Sequence, residues 1–270
     1  THRPVPSGPL RTGGICMSQG QSEDRLQVPD YGEMVERRRL LDLFTRTRPR
    51  ITVIAAPAAY GKSVFAAQIA RNRTLGRALW LRLPRKCDTA EEILAAALGA
   101  LEMGVRAADD NLISHGPTPL LPDLIGRLES TTLSLVHGPA CLVLDNLDST
   151  SSQAVADLCA ALVDRHASLT YVLAVRATSP IAACPVAVWQ VGAADLLVDD
   201  DEATAVVRGV LGQKLEDSLQ GALAEASGRQ IGLLSVLARY VVSEPQGWEG
   251  LDVRRPDVCG LLRHLAGSQL

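Results

Sequence analysis

Residues 51–65, Ile-Thr-Val-Ile-Ala-Ala-Pro-Ala-Ala-Tyr-Gly-Lys-Ser-Val-Phe, constrain this chain more than any other stretch. An apolar, β-branched run over 51–56 reads as a buried strand, and 64–71 carries a helical pattern. Between them lies a tight turn that fits the phosphate-loop pattern G-x-x-x-x-G-K-[ST], with Ala56 where the first Gly is usual. Gly61 lets the backbone approach an oligophosphate. Lys62 would reach the β- and γ-phosphates, and the Ser63 hydroxyl would ligate Mg²⁺. The first N–H groups of the following helix, from Val64 on, add a partial positive charge. Only three lysines occur, Lys62, Lys86 and Lys214, in a chain with 27 basic residues. A lysine in this slot therefore points to a need for a compact ammonium rather than a planar guanidinium.

Strands and helices alternate around this turn. Segments 77–83, 140–145 and 170–176 read as further strands, with a weak fifth at 187–191. Helices are expected over 33–44, from about 89 to 103, 119–135 and 151–166. Beyond residue 200 only helical patterns follow, at 201–211, 215–227, 231–242 and 257–266. The acids Asp199 to Glu202 favour a helix start. This order predicts a parallel, doubly wound α/β sheet followed by a small helical domain. The boundaries expected are a disordered segment over 1–28, rich in Pro, Gly, Ser and Gln, an α/β core over 29–196 and a helical part over 197–270.

Ligands of open α/β sheets sit at the carboxyl ends of the strands. Three such ends here carry polar groups. The first leads into the loop, the third ends in Asp145, and the fourth ends in Arg176. Asp145 is placed to serve Mg²⁺ as a Walker B acid. Arg176 could sense a γ-phosphate through charge-assisted hydrogen bonds. Taken singly, a helix cap would explain Asp145 and a solvated charge would explain Arg176. The order loop, strand plus Asp, strand plus Arg is more specific than its parts. Tyr60 has two readings of equal weight: stacking near a nucleotide, or packing on the loop.

Composition excludes other classes. Hydrophobic residues make up 47% of 270, while aromatics make up 3%, so the core must be built from Ala, Leu and Val. A net charge of −3 gives no polyanion-binding signature. No apolar run is long enough to cross a membrane. The six cysteines show no metal-ligand spacing, and a reduced, cytoplasmic setting is the simplest expectation. The five histidines show no zinc or catalytic pattern, and the pair Asp109-Asp110 reads as a solvated loop.

The loop wording Ala56-Pro57-Ala58-Ala59-Tyr60-Gly61-Lys62-Ser63 resembles the "APAGYGK[ST]" loop of the STAND nucleotide switches. Within them the chain is most similar to the maltose-regulon activator group, the large ATP-binding LuxR-type regulators. Val35-Glu36-Arg37 resembles that family's "VxRxxL" segment, Val143-Leu144-Asp145 its "LVLDD" element, and Leu173 to Arg176 with Ser179-Pro180 its "SRxxPP" element. Leu196 to Val206 and Ser227 to Leu233 resemble its later segments. The resemblance covers about residues 33–268.

It implies an AAA+/STAND-like P-loop fold binding ATP or ADP with Mg²⁺, and self-association in the ATP state. It places Val35 and Arg37 near the base and the loop residues Ala58 to Val64 around the phosphates. Three departures stand out. Ala59 replaces a Gly of the family loop, Gln230 stands where a Pro is frequent, and Asn146 replaces a second acid after Asp145. Asn can orient water but cannot take its proton, so the expectation is binding with little hydrolysis. Leu262 to Ser268 resembles the start of a winged helix. No DNA-reading element is recognisable in this segment, and the chain reads as lacking the family's sensor and DNA-binding regions. A turnover P-loop enzyme and a nucleotide-free scaffold are the competing readings.

Overall fold

The computed structural model describes residues 26–31, 35–83, 87–105, 120–147, 150–163, 165, 169–177, 179, 181–212 and 217–243. The expected disordered segment up to residue 25, Asp109-Asp110, Trp248 and the last expected helix lie outside these residues.

Five strands form one parallel sheet: β1 (Ile51–Ala55), β2 (Arg77–Arg82), β3 (Ala140–Leu147), β4 (Leu169–Val175) and β5 (Trp189–Gly192). Their spatial order is β2-β3-β4-β1-β5. β1 pairs with β4 from Ile51↔Tyr171 to Ala55↔Val175, and β2 pairs with β3 from Arg77↔Ala140 to Arg82↔Asp145. Sequence neighbours β1 and β2 are thus three places apart. The chain leaves β1, crosses to the far edge and returns, so the carboxyl ends of β1, β4 and β3 open on one crevice.

Burial on both faces explains why the strands read as unbroken apolar runs. Alternate residues serve different layers. Ile51, Val53, Ala55, Leu79, Leu81, Leu142 and Leu144 face α3 (Ala90–Val105), α4 (Leu121–Val136) and α5 (Ser152–Val163). Ile54, Trp80, Cys141, Val143 and Val172 face α1 (Arg38–Thr47) and α2 (Lys62–Ala70). Trp80 is buried in this second layer, and the half-buried Trp189 packs near Phe44 and Phe65, with ring centroids 5.9 and 6.3 Å away.

Three more helices, α6 (Asp200–Leu211), α7 (Asp217–Ala226) and α8 (Ile231–Ser243), gather around Val198, Val207, Leu223, Leu234 and Ala238. Asp199 caps α6. Its carboxylate accepts from the Glu202 N–H at 2.8 Å, and Glu202 accepts from the Asp199 N–H, closing a capping box.

One element starts later than its pattern suggests. The helix expected over 33–44 begins at Arg38. Residues 35–37 stay non-helical because Gln68 on α2 claims their backbone: its amide donates to the Val35 carbonyl at 2.7 Å and accepts from the Arg37 N–H at 3.0 Å. Tertiary contact overrides local propensity here.

Candidate functional site

The turn from β1 into α2 holds two residues in the left-handed region, Ala59 at φ 68° and Gly61 at φ 78°. Gly61 has no side chain to object. A Cβ there would also come within 2.7 Å of Ile231 Cγ2. Ala59 bears the strain that its glycine counterpart would not. The turn is pinned from β4, since the Ala56 N–H donates to the Val175 carbonyl and the Ala177 N–H to the Ala56 carbonyl. These bonds set Arg176 beside the loop at the end of β4; its side chain is exposed.

Lys62 and Ser63 open α2. The Lys62 ammonium donates to the Pro57 carbonyl at 3.0 Å, folded back across the turn. The Ser63 hydroxyl donates to Asp145 Oδ1 at 2.8 Å, joining α2 to the end of β3 across 82 residues. Asp145 is buried. A hydroxyl and a carboxylate meeting at the carboxyl edge of a sheet form an oxygen donor pair suited to a hard cation such as Mg²⁺.

A cavity of about 560 Å³ lies between the loop and the helical part. Val35, Ala59, Gly61 and Val64 line it on the sheet side, and Val206, Val210, Ile231, Gly232, Ser235 and Arg239 on the helical side. This is within the usual size of a small-molecule site, and its walls mix apolar side chains with polar groups from Tyr31, Ser235 and Arg239. Ala58 and Tyr60 are not in its lining. Tyr60 packs against the α1–α2 layer.

At Gly232 the helical part meets the loop backbone to backbone. The Gly232 N–H donates to the Ala59 carbonyl at 2.9 Å. A Cβ on Gly232 would stand 2.7 Å from that carbonyl oxygen and 3.0 Å from the Ala59 Cα.

Arg37, expected near the base, is not in the cavity lining. It is buried, and its Nε donates to Glu202 Oε1 at 3.0 Å. Its Nη2 donates to the Leu196 carbonyl at 2.9 Å and to that of Leu197 at 3.2 Å. The guanidinium is thus committed to the start of α6. Val35 alone of this pair reaches the cavity wall. Asn146 is held in the sheet. At φ 70° it turns its amide to donate to the Leu83 carbonyl at 2.9 Å, bracing β2 against β3.

Sequence reasoning missed Tyr31. It lines the cavity. Burial, and then the nearby Asp145 charge, raise the Tyr31 pKa, which keeps the phenol neutral. The segment carrying it is tied down by Arg71, which donates to the Pro29 carbonyl at 2.9 Å and to Asp30 at 3.3 Å. Nothing in the local pattern around Tyr31 marks it; only the fold brings it to the loop.

A parallel sheet in the order 2-3-4-1-5, with a phosphate-type loop after β1 and an acid near the carboxyl end of β3, defines the P-loop NTPase fold. No protein-family model matches the sequence, and no curated protein does. Among solved structures, the chain is similar to a Walker-type ATPase of Pyrococcus abyssi, at 13% identity over 90% of this chain and 80% of that one, with a TM-score of 0.48. It is similar to a STAND protein with a tetratricopeptide repeat sensor from Pyrococcus horikoshii at 13% identity and a TM-score of 0.49. There it covers 90% of this chain but only 33% of the other, so the chain spans about a third of that protein's length. RuvB of Thermotoga maritima aligns at 12% identity over 86% of this chain and 70% of its own, with a TM-score of 0.45. Among the described residues, no helix is long and apolar enough to cross a membrane.

Proposed function

We propose that this chain is an ATP-binding signalling module of the STAND class, of the kind found in large LuxR-type regulators. The observation that carries this reading is the Ser63–Asp145 hydrogen bond at 2.8 Å, formed beside a 560 Å³ cavity walled by the loop and the helical part. In this reading Lys62, Gly61 and the N–H groups of Ala58 to Val64 hold the phosphates of ATP or ADP. Ser63 and Asp145 hold Mg²⁺, whose charge offsets that of the phosphates. Val35 lies on the base side, and Arg37 sets the angle of the helical part rather than touching the ligand. Arg176 faces the terminal phosphate. Residues 29–196 act as the nucleotide core and 197–270 as its lid.

The lid touches the loop directly, through Gly232 and Ala59, so a ligand on the loop can bias where the lid sits. ATP favours an open, self-associating state and ADP a closed one. A turnover enzyme is the weaker reading, because Asn146 offers no base and its amide is bonded to the Leu83 carbonyl. Output as transcription control is what the resemblance to LuxR-type regulators implies, and the module is expected to work in the cytoplasm.

The test is the nucleotide content of the purified protein, released by denaturation, compared with Lys62→Ala. ADP or ATP in the parent and none in the variant is the expected result. A parent that is empty and also ignores added Mg·ATP would leave a nucleotide-free scaffold.

A further inference from the structure

The carboxyl end of β2 holds a cation that has not entered the site so far. Arg82 is the last residue of β2 and the register partner of Asp145 on β3. Register partners in a parallel pair direct their side chains to the same face. The face is fixed by the residues below them: Trp80 and Val143 both belong to the layer against α1 and α2. Arg82 therefore stands on the face where Ser63 meets Asp145. It is exposed, while Leu81 and Leu83 on either side are buried in the opposite layer. Arg82 thus shares one face at the carboxyl edge of the sheet with Asp145, the acceptor of the Ser63 hydroxyl.

The sheet order decides what that spot can read. β2 lies three strand spacings from β1, roughly 14 Å. The loop after β1 cradles the inner phosphates, so a guanidinium rooted on β2 can meet only the outer end of a ligand that extends across β4 toward β3. We propose that Arg82 is a specificity-determining residue that binds the terminal phosphate of a nucleoside triphosphate and so separates triphosphate from diphosphate. This rests on the nucleotide-binding reading above. A guanidinium fits the role because it keeps its charge at every working pH and can donate two parallel hydrogen bonds to a phosphate.

The test measures binding of a non-hydrolysable Mg·ATP analogue and of Mg·ADP to the full chain, for the parent, Arg82→Ala and Arg82→Lys. Losing charge-assisted hydrogen bonds to phosphate should weaken Arg82→Ala for the triphosphate by about tenfold to a hundredfold. Affinity for the diphosphate and the melting temperature should stay unchanged, and Arg82→Lys should recover part of the loss. An equal loss for both nucleotides, or no loss for either, overturns the assignment while the parent still binds. A parent that binds neither nucleotide overturns the nucleotide reading itself, and the assignment with it.

Discussion

At Arg37 the helical part is held to the sheet by charge; at Gly232 it is held by bare closeness. Arg37 and Glu202 are an ion pair with side chains only 1% and 7% exposed, and the guanidinium Nη2 donates to the Leu196 and Leu197 carbonyls. Glu202 is also the third residue of α6 and closes its capping box. Nothing in that joint borders the cavity. At the other joint the backbone of α8 meets the backbone of the loop, and both partners, Ala59 and Gly232, are cavity walls. Buried charges tolerate no loss of a partner, so the first joint is a fixed anchor. A single backbone hydrogen bond beside a ligand site can open and close, so the second is where a ligand can act.

The largest effect should come from breaking the anchor. Arg37→Ala leaves Glu202 buried and uncompensated, and about 3–5 kcal/mol of stability should be lost, read as a fall in the denaturant midpoint. The double variant Arg37→Met with Glu202→Met should recover most of it, because well-packed apolar groups can replace a buried pair. An Arg37→Ala protein as stable as the parent would remove the distinction between the joints.

Gly232→Ala attacks the second joint. Its Cβ would press on backbone rather than on a flexible side chain, so about 1–3 kcal/mol should be lost. Protease cleavage near residues 227–231 should rise, whereas Arg37→Ala should unfold the whole chain together.

Alkaline pH should separate the two parts. Burial raises the Cys141 thiol from 9.0 to about 12, and burial also raises Cys159 and Tyr171, the latter helped by the Glu129 carboxylate that accepts its hydrogen bond. All three lie in the sheet part. A raised pKa in the folded state means its stabilising effect is whole below the unfolded value and fades as pH rises toward the folded one. Stability should thus hold to about pH 9 and then fall by up to about 1.4 kcal/mol per pH unit for each titrating thiol. Far-UV melts from pH 7 to 11 should show the sheet part failing first. A lid that melts before it would contradict this order.

The smallest effect is expected at Ala59. A left-handed alanine is strained by about 1–2 kcal/mol, partly offset by the extra entropy a glycine loses on folding. Ala59→Gly should stabilise the chain by about 0.5–1 kcal/mol, raising the melting temperature slightly.

Much of this was legible in the sequence. The strand–loop–helix unit at 51–65 and strands β2 to β4 carry burial and turn signals that need no neighbour to be read. The acid at Asp145 could be named because it follows an apolar run. What could not be read is direction. Arg37 lies in a segment that resembles a base-binding one, yet its side chain turns to a residue 165 positions later. Glu202 reads as one of four acids favouring a helix start, and its second bond exists only once the helical part has docked. Tyr31 and Arg82 have no local pattern. Arg82 matters because the sheet order 2-3-4-1-5 sets distant strand ends side by side, and pairing order is not written in any one strand.

The Asn146 amide has a consequence for time. It is bonded into the sheet through Leu83, at the position where the resemblance would place a second acid. Under the proposed reading, the dwell of a triphosphate on this module is then set by how fast it leaves, not by how fast it is cut. Such a module measures the supply of fresh nucleotide against its own release rate, and resets by exchange rather than by chemistry.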